Sequence, residues 1–362
     1  MKAAIFHGKE NIRIEEVAPP ALKPGEVRIQ IAVALTCGTD LKVLKRGYHA
    51  KMLTPPSPFG HELAGTISEI APSTGSGHAT HWKAGDHVVV ANSAPCGHCF
   101  FCKHNQENLC DDLQFLNGAY AETIVVPARF VQKNMVRLKP GTNFEDAALA
   151  EPLACVVQGV EDLNLRPGQS VLVLGTGPIG LMFIALAKNL GCKVSAVGRG
   201  KNRLQAAQRL GAEHVFDAGK DGDIVKAVCG ANASHQPEVK TNGHVSPPGY
   251  DVVIEAIGKP ETWEAAVRLV RKGGAVNFFG GCPSGTTISL DTSTIHYSNL
   301  RLLASFHHTP KTFRRALEFI ETGVIRAADF VDGEWPLTKL PELFKEMAAG
   351  NRAIKTLIRV RQ

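Results

Sequence analysis

Four cysteines lie close together in a spacing that could hold a metal ion. Two residues separate Cys96 from Cys99 and Cys99 from Cys102, and Cys110 follows after seven more. Short links with turn-forming residues such as Gly97 let four thiolates converge on one tetrahedral zinc ion, at about 2.3 Å from each sulfur. Because four thiolates fill every coordination position, the pattern predicts a closed structural zinc site.

The alternative for these cysteines is a pair of disulfides. The chain has nine cysteines, so at least one would stay unpaired. The remaining five are scattered singly: Cys37, Cys155, Cys192, Cys229 and Cys282. The amino terminus has no apolar core followed by a small-residue cleavage site, as a secretory signal would. Since thiols stay reduced without export, we expect zinc rather than disulfides, and a cytoplasmic location.

A glycine-rich turn offers a second kind of chemistry. It lies between an apolar run over 170–174, typical of a buried parallel strand, and a predicted helix over 178–190. In this context the glycines allow a tight turn, close approach to a pyrophosphate and packing of helix against strand. The predicted cofactor contacts are Gly175, Gly177, Pro178, Ile179 and Gly180. A tight turn without a ligand is the alternative.

The end of the next predicted strand bears on which dinucleotide binds. An Asp or Glu about twenty residues after the glycine turn would hold a ribose 2′-hydroxyl. Nineteen residues after Gly180 the chain has Arg199, with Arg203 following and no acid over 194–203. A guanidinium group pairs well with a 2′-phosphate, so the segment predicts NADP(H) rather than NAD(H). The alternative is that both arginines only solvate a helix start.

Three further groups of residues are ambiguous when each is taken alone. Cys37, Thr39 and Asp40 follow a β-type run, His61 and Glu62 follow a proline-rich turn, and Glu151 precedes a proline. A single cysteine is usually a packing residue, and Glu before Pro is often a helix start.

The elements that must position these residues change in character along the chain. Residues 1 to about 150 read as short β-type runs separated by Pro and Gly, which predicts an irregular β-rich domain. From about 165, strands alternate with helices, which predicts a doubly wound parallel sheet. The polar segment 230–249 interrupts this alternation, and we expect it to be a surface excursion.

Size and composition limit the function classes. A chain of 362 residues suits two domains, and 44% hydrophobic with 20% charged residues is typical of a globular protein. No apolar run reaches the length of a membrane span. The net charge of +6 is not gathered into one block, and only 3 Trp and 4 Tyr are available for base stacking. We therefore expect neither a membrane nor a nucleic-acid partner.

Taken together and in this order, the motifs resemble the zinc-containing medium-chain dehydrogenases, most closely the polyol branch with sorbitol and threonine dehydrogenases. The segments that carry the resemblance are 37–40, 59–62, 96–110, 118–122, 151–153 and 175–180. The resemblance spans essentially the whole chain. It implies an irregular β-rich GroES-like catalytic domain, residues 1–152 completed by 300–362, and a doubly wound Rossmann domain, residues 153–299.

The resemblance also implies roles for the ambiguous residues. Cys37 and His61 would be catalytic zinc ligands with Glu62 as a third, and Glu151 stands where the classical alcohol dehydrogenases have a second cysteine. Whether each carboxylate binds zinc directly or through water stays open. Thr39 aligns with a hydroxyl proton relay, and Asp40 with a carboxylate that orients His61; a turn cap is the alternative for Asp40.

Two later segments are implied to approach the cofactor. Ile257, Gly258 and Gly280 lie in loops that resemble those under the nicotinamide half of the dinucleotide. His307 and His308 fall in a region that approaches the nicotinamide in sorbitol dehydrogenase-like enzymes. These two histidines could instead be surface residues beside the following helix.

The expected function is a zinc-dependent oxidoreductase, with two zinc ions per chain, that transfers hydride between NADP(H) and a secondary alcohol, polyol or sugar-derived alcohol or ketone. From the family we also expect a homodimer or homotetramer. One alternative is a catalytically inactive NADP(H)-binding scaffold or regulator of the same fold. A zinc-independent enone reductase should lack both the four-cysteine pattern and the pair Cys37 and His61, which this chain has.

Overall fold

The computed structural model describes residues 1–49, 51–72, 81–221, 224–225, 228, 249–350 and 353–361. The predicted surface excursion at 230–249 lies outside these residues except for its last position. The chain divides into two compact units. The first contains Met1–Ala154 and His308–Gln362, and the second contains Cys155–His307.

Short strands dominate the first 154 residues. They are β1 (Lys2–Gly8), β2 (Asn11–Glu16), β3 (Val27–Leu35), β4 (Ser57–Pro58), β5 (Glu62–Ile70), β6 (His87–Val90), β7 (Ser93–Ala94), β8 (Gln114–Phe115), β9 (Thr123–Val126) and β10 (Met135–Arg137). The helices are α1 (Gly38–Arg46), α2 (Phe100–Lys103), α3 (Ala128–Lys133) and α4 (Phe144–Ala147), with a 3₁₀ turn at Glu107–Leu109. Helix α5 (Ala150–Leu163) begins in the first unit and ends in the second.

Strands and helices alternate in the second unit. The strands are β11 (Ser170–Leu174), β12 (Lys193–Gly198), β13 (Ala212–Asp217), β14 (Tyr250–Glu255), β15 (Val270–Phe278) and β16 (Arg301–Leu303). The helices are α6 (Pro178–Asn189), α7 (Lys201–Arg209), α8 (Ala218–Asp221), α9 (Pro260–Leu269) and α10 (Thr292–Tyr297).

The last segment returns to the first unit. It contains helices α11 (Pro310–Glu321) and α12 (Leu340–Ala349), strands β17 (Val331–Pro336) and β18 (Lys355–Arg359), and 3₁₀ turns at Ala327–Asp329 and Leu337–Lys339. Helix α11 starts with a capping box in which Thr309 and Thr312 satisfy each other's backbone N–H groups.

The main sheet of the first unit places distant parts of the chain side by side. Its strand order is β10-β6-β5-β3-β18-β17, and β9 also pairs with β3. Strand β3 lies antiparallel to both β5 and β18, so that Leu35 pairs with Glu62 on one side and with Leu357 on the other. The end of β3 therefore lies between residues that are far away in sequence.

Aromatic side chains fill part of the core beside this sheet. The rings of Phe6 and Phe59 stack with centroids 5.2 Å apart, and Phe344 of α12 packs against Phe59 at 5.8 Å. Tyr120 lies 6.1 Å from both Phe59 and Phe344, and all four side chains are fully buried. The last helix thus contributes to the core of the first unit.

The second unit is a doubly wound parallel sheet. Its strand order is β13-β12-β11-β14-β15-β16, with all pairs parallel. All five residues of β11 are buried, as expected of a central strand covered by helices on both faces. The order reverses between β11 and β14, the point where such folds bind dinucleotides. The doubly wound parallel sheet predicted for the second domain is confirmed.

The end of the second unit differs from the expected bound. Strand β16 pairs with β15, so residues 300–307 continue the parallel sheet unit instead of completing the first. The unit accordingly ends at His307 rather than at 299. Among the helices in the described parts of the chain, none is long and apolar enough to span a membrane.

Candidate functional site

The four cysteines of the predicted closed site converge in the structure. We call the segment 95–110 the cysteine lobe. Its four sulfurs all lie within 4.8 Å of one another, with Sγ of Cys96 3.9 Å from Cys102 and Sγ of Cys99 3.9 Å from Cys110. A tetrahedron with bonds of about 2.3 Å has edges of about 3.8 Å, whereas a disulfide has an S–S distance of about 2.05 Å. The arrangement fits one zinc ion, and the cysteines that the structure describes form no disulfide.

Backbone amides prepare the lobe for negative charge. The N–H groups of His98 and Cys99 point at Cys96 Sγ from 3.4 and 3.3 Å, and Gly97 N donates to Cys102 Sγ at 3.4 Å. Gly97 has φ +83°, a conformation that favours glycine. The amide of His98, with that of Cys99, lowers the pKa of Cys96 to about 6, whereas burial raises the pKa of Cys102 to about 12.

A second group of ligand atoms meets at the ends of three secondary-structure elements. Cys37 caps the amino end of α1, where its sulfur accepts the N–H of Thr39 at 3.4 Å. His61 immediately precedes β5, and Glu62 begins it. The ligand atoms of Cys37, His61 and Glu62 all lie within 4.8 Å of one another. We call this group the open cluster, since three protein ligands leave a tetrahedral position for water or substrate.

Gly60 and Tyr120 explain the geometry before His61. Gly60 has φ +86°, and a Cβ added there would lie 2.5 Å from the ring of Tyr120. Only glycine fits this position, because a side chain would need both a strained backbone and the space that the ring occupies. The packing of Gly60 on Tyr120 therefore sets the direction in which the chain enters His61.

The carboxylate of Asp40 contacts both His61 and Tyr120. Its Oδ1 lies 3.1 Å from Nδ1 of His61, and its Oδ2 accepts a hydrogen bond from the Tyr120 hydroxyl at 2.7 Å. Burial disfavours the charged imidazole, but the negative charges of Asp40 and Cys37 outweigh burial and raise the pKa of His61 well above its ordinary value. A carboxylate on Nδ1 leaves Nε2 of His61 for a metal ion.

Glu62 has a partner that the sequence analysis missed. Lys355, the first residue of β18, directs its Nζ at both carboxylate oxygens of Glu62 from 2.7 and 2.5 Å and donates to the carbonyl of Thr36 at 2.9 Å. Both side chains are buried, with relative exposures of 2% and 0%. Burial raises the pKa of Glu62 and Lys355 opposes it, while the charge of Glu62 raises the pKa of Lys355. The signal in the sequence that could have indicated a role for Lys355 was the presence of a lysine in the mostly apolar run 353–360.

Glu151 is not one of the three residues of the open cluster, but the charges of these residues affect its pKa. It is buried in the first turn of α5. Burial raises its pKa to about 7, with the charge of His61 opposing and that of Glu62 adding to the shift. His308 Nε2 lies 3.9 Å from Glu151 Oε1 and 3.0 Å from Asn92 Oδ1. His308 is only 1% exposed, so the surface interpretation of this histidine is wrong. Nothing in the sequence patterns pointed to Asn92.

The glycine turn of the second unit has the predicted shape. Gly175 has φ +111°, and a Cβ there would press on the loop at Ile257. A Cβ on Gly180 would overlap the carbonyl of Gly175, so the helix start can pack on the turn only without a side chain. At Gly177 the space for a Cβ is open, as a position that faces a ligand requires. Pro178 and Ile179 begin α6 directly after it.

The last residue of β12 has no room for a side chain. Gly198 is the last residue of this strand, and a Cβ there would overlap the side chain of Thr176. Arg199 follows in an exposed position, and Arg203 lies in the first turns of α7. A steric clash therefore excludes an acid at position 198, whereas position 199 is exposed and has the arginine.

The structure brings the predicted residues together in three groups. Cys37, Thr39, Asp40, His61 and Glu62 meet with Glu151 nearby, the four cysteines form the lobe, and the glycine turn meets Ile257. Gly258 and Gly280 lie in two adjoining loops of the second unit. His307, the last residue of that unit, has φ +61°.

Comparisons with known proteins agree with this geometry. Residues 23–136 match the alcohol dehydrogenase GroES-like domain, and residues 178–322 match the zinc-binding dehydrogenase family. The chain is 28% identical to sorbitol dehydrogenase of Bacillus subtilis over 366 residues, covering 99% of this chain and 97% of the relative. It is 30% identical to L-threonine 3-dehydrogenase of Pyrococcus horikoshii over 357 residues, covering 97% and 95%.

A solved structure gives the same result for the fold. A protein of Sinorhizobium meliloti 1021, described as a zinc-binding dehydrogenase bound to NADP, superposes with a TM-score of 0.85 at 28% identity. The match covers 99% of this chain and 98% of the other.

Proposed function

Because this chain belongs to the zinc-dependent medium-chain dehydrogenases, in the polyol branch, we propose that it interconverts a secondary alcohol, polyol or sugar-derived alcohol and its ketone with NADP(H). At the coarser level it is an alcohol or polyol dehydrogenase that uses zinc and a nicotinamide cofactor. The substrate range, the preference for NADP(H) and two zinc ions per chain belong to the proposal.

The observation that supports this proposal most directly is the open cluster. Its three ligand atoms come within 4.8 Å of one another, and they combine a thiolate, an imidazole and a carboxylate, a donor set that suits zinc. We propose Cys37, His61 and Glu62 as the protein ligands of a catalytic zinc. Glu151 would lie behind them as a buried carboxylate.

Bound there, zinc would supply a positive charge that lowers the pKa of an alcohol hydroxyl, and the nicotinamide would accept the hydride. Other side chains of the chain hold the proposed zinc ligands in place and balance their charge. Asp40 holds the ring of His61, and Tyr120 holds Asp40. Lys355 balances the charge of Glu62. Thr39, two residues after Cys37, would relay the alcohol proton. Its hydroxyl oxygen would accept that proton while its own proton passes toward the cofactor ribose and solvent, and the reverse transfer would supply a proton for ketone reduction.

The decisive experiment is a panel of alcohols, polyols and ketones assayed with NADP(H) and NAD(H) by nicotinamide absorbance, with zinc measured on the same sample. Turnover of a secondary alcohol or polyol, and of its ketone, is expected. If no alcohol or ketone reacts although two zinc ions are bound per chain, the dehydrogenase proposal is wrong. NADPH binding without zinc at the open cluster would favour the inactive scaffold.

The cofactor preference has its own test. Arg199 would pair with the 2′-phosphate, with Arg203 adding positive charge, and Gly198 leaves no side chain to hold a 2′-hydroxyl. Arg199→Asp should move the preference toward NAD(H) by about tenfold or more in kcat/KM. The matched control is Arg209→Asp, the same charge change at the other end of α7, which should leave the preference as it was. An unchanged preference in Arg199→Asp would contradict the role of Arg199.

We further propose a homodimer or homotetramer, on the family resemblance alone. Light scattering on a size-exclusion column measures the mass directly. A monomer of 38.8 kDa at micromolar concentration would contradict this part of the proposal.

A further inference from the structure

Glu255 is a fully buried carboxylate with no role in the chemistry described above. It is the last residue of β14 and is 0% exposed. We propose that Glu255 is a positioning residue that fixes, through two loops, the nicotinamide end of the dinucleotide site. This inference rests on the proposed use of a nicotinamide dinucleotide and concerns how the chain holds it.

The side chain of Glu255 organises the loop after β14. Its Oε1 accepts the N–H groups of Ile257 and Gly258, both at 2.9 Å, and its Oε2 lies 3.2 Å from the same N–H of Gly258. The hydroxyl of Thr262, in the first turn of α9, donates to Oε1 at 2.7 Å. Three donors from the loop and the following helix thus converge on one carboxylate, which fixes the course of residues 256–259.

The backbone of the same residue organises the loop after β15. The carbonyl oxygen of Glu255 accepts the N–H groups of Phe279 and Gly280 at 3.0 and 2.8 Å. Trp263 of α9 donates its indole N–H to the carbonyl of Gly280 at 2.9 Å. Glu255 is therefore hydrogen-bonded to both loops, to one by its side chain and to the other by its main chain.

The two loops pack so closely that neither Gly258 nor Gly280 has space for a side chain. Gly258 has φ +81°, and a Cβ there would lie 2.5 Å from the carbonyl oxygen of Gly281. A Cβ on Gly280 would lie 2.7 Å from Oε2 of Glu255 and would overlap the N–H of Gly258. Displacing the carboxylate would therefore shift both loops, because each is shaped against it.

The topology indicates which part of the cofactor these loops serve. The strand order reverses between β11 and β14, and each half of such a sheet receives one nucleotide half at the carboxyl ends of its strands. Arg199, at the end of β12, would serve the 2′-phosphate half. The loops after β14 and β15 lie on the opposite side of the reversal and would receive the nicotinamide half.

A carboxylate at the other end of the same strand provides a contrast. Asp251 accepts the N–H and hydroxyl of Ser170, both at 2.7 Å, and the guanidinium of Arg271 at 2.7 Å. It is thus as fully hydrogen-bonded as Glu255, but it lies near the amino end of β14, away from the edge where ligands bind. A variant of Asp251 therefore measures how the loss of a carboxylate with a purely structural role affects cofactor binding.

The experiment compares two ligands by calorimetry in wild type and variants. NADPH contains the nicotinamide half, whereas adenosine 2′,5′-bisphosphate contains only the half near Arg199. Glu255→Gln keeps the size but removes the charge and one acceptor, so it should raise the Kd of NADPH by about tenfold. The Kd of adenosine 2′,5′-bisphosphate should stay within about twofold of wild type. Asp251→Asn should leave the ratio of the two constants unchanged.

Each other outcome has a defined meaning. An unchanged NADPH affinity in Glu255→Gln, or equal losses for both ligands, overturns the positioning role. Should this variant fail to fold, Thr262→Val decides by the same ratio; it removes one donor to Glu255, together with the hydroxyl that accepts the N–H of Lys259 at 3.3 Å. If wild type binds NADH instead of NADPH, the cofactor preference fails, and the Glu255 comparison is made with NADH and AMP. A wild-type chain that binds neither dinucleotide overturns both proposals.

Discussion

The cysteine lobe and the open cluster are both candidate zinc sites, but they are built in opposite ways. All four ligands of the lobe come from fifteen consecutive residues, 96–110, and three of the four are only half-buried. In the open cluster Cys37 and His61 are 24 positions apart, and the lysine that balances Glu62 lies at position 355. One site is local in sequence, and the other depends on the whole first unit.

The two sites also differ in the groups that stabilise their charged side chains. In the lobe, backbone N–H groups of the same turn lie 3.2–3.4 Å from the sulfurs and stabilise the thiolates. In the open cluster, buried charges are stabilised by other side chains, Asp40 for His61 and Lys355 for Glu62. Burying charge is costly unless it is paired, so the open cluster depends on contacts that only the fold supplies.

The largest effect is expected from a variant that disrupts the open cluster and leaves the cysteine lobe intact. Cys37→Ser removes its only thiolate and should lower zinc by one ion per chain and kcat/KM by about 10⁴-fold. Zinc in the lobe should stay, because the lobe uses no residue of the cluster. Metal analysis and steady-state kinetics on one sample check both parts. Retained zinc with retained activity would remove Cys37 from the ligand set.

The reverse experiment breaks the lobe. Cys99→Ser should release the lobe zinc and lower the free energy of unfolding by about 4 kcal/mol, because a structural metal site contributes folding energy. Thermal unfolding and metal analysis measure the effect. Cys192→Ser is the control, since this thiol only donates to the carbonyl of Arg166 at 3.3 Å. Comparable losses in both variants would argue against zinc in the lobe.

The third prediction concerns the buried pair of Glu62 and Lys355. Lys355→Met leaves the carboxylate buried without its cation and should cost about 3 kcal/mol of unfolding free energy in urea denaturation. A surface control is Lys139→Met, whose side chain is 70% exposed and pairs with Glu321 at 2.8 Å. Its effect should be much smaller, because water screens that pair.

The same variant should change the pH dependence of activity. Lys355 opposes the raised pKa of Glu62, so its removal raises that pKa further. A carboxylate must be ionised to bind zinc, so activity in Lys355→Met should be lost at a higher pH than in wild type as the pH falls. A pH profile of kcat/KM measures the shift, and an unshifted acid limb would argue against Glu62 as a ligand.

The smallest effect is expected from changing Asp40, whose carboxylate faces Nδ1 of His61. Asp40→Asn keeps the shape but removes the charge at Nδ1, and it should weaken zinc binding at the open cluster by about 10- to 100-fold. Competition with a chelator measures the affinity. Asp86→Asn is the control, because this buried carboxylate pairs with Arg137 at 2.6 Å. A similar loss of affinity in both variants would make the role of Asp40 merely structural.

Much of the architecture could be predicted because its signals are local. The alternation of strands and helices after residue 165 predicted the doubly wound sheet, and the four-cysteine spacing predicted the lobe. The end of the second unit was misplaced because β16 has only three residues, Arg301–Leu303, too few for a recognisable pattern. The burial of His308 could not be read either, since its contacts with Asn92 and Glu151 span 216 and 157 positions.

Residue types and short-range spacing are enough to predict the cysteine lobe and the glycine turn with Arg199 after it, because the chain fixes both before it folds. Cys37, His61 and Glu62 were each ambiguous alone and were identified as candidate ligands through the family resemblance. The contact of Lys355 with Glu62 and the two loops joined by Glu255 could not be predicted in this way, because they arise where β18 pairs with β3 and β15 with β14. Buried charges need partners, and a sheet can supply them from any distance along the chain.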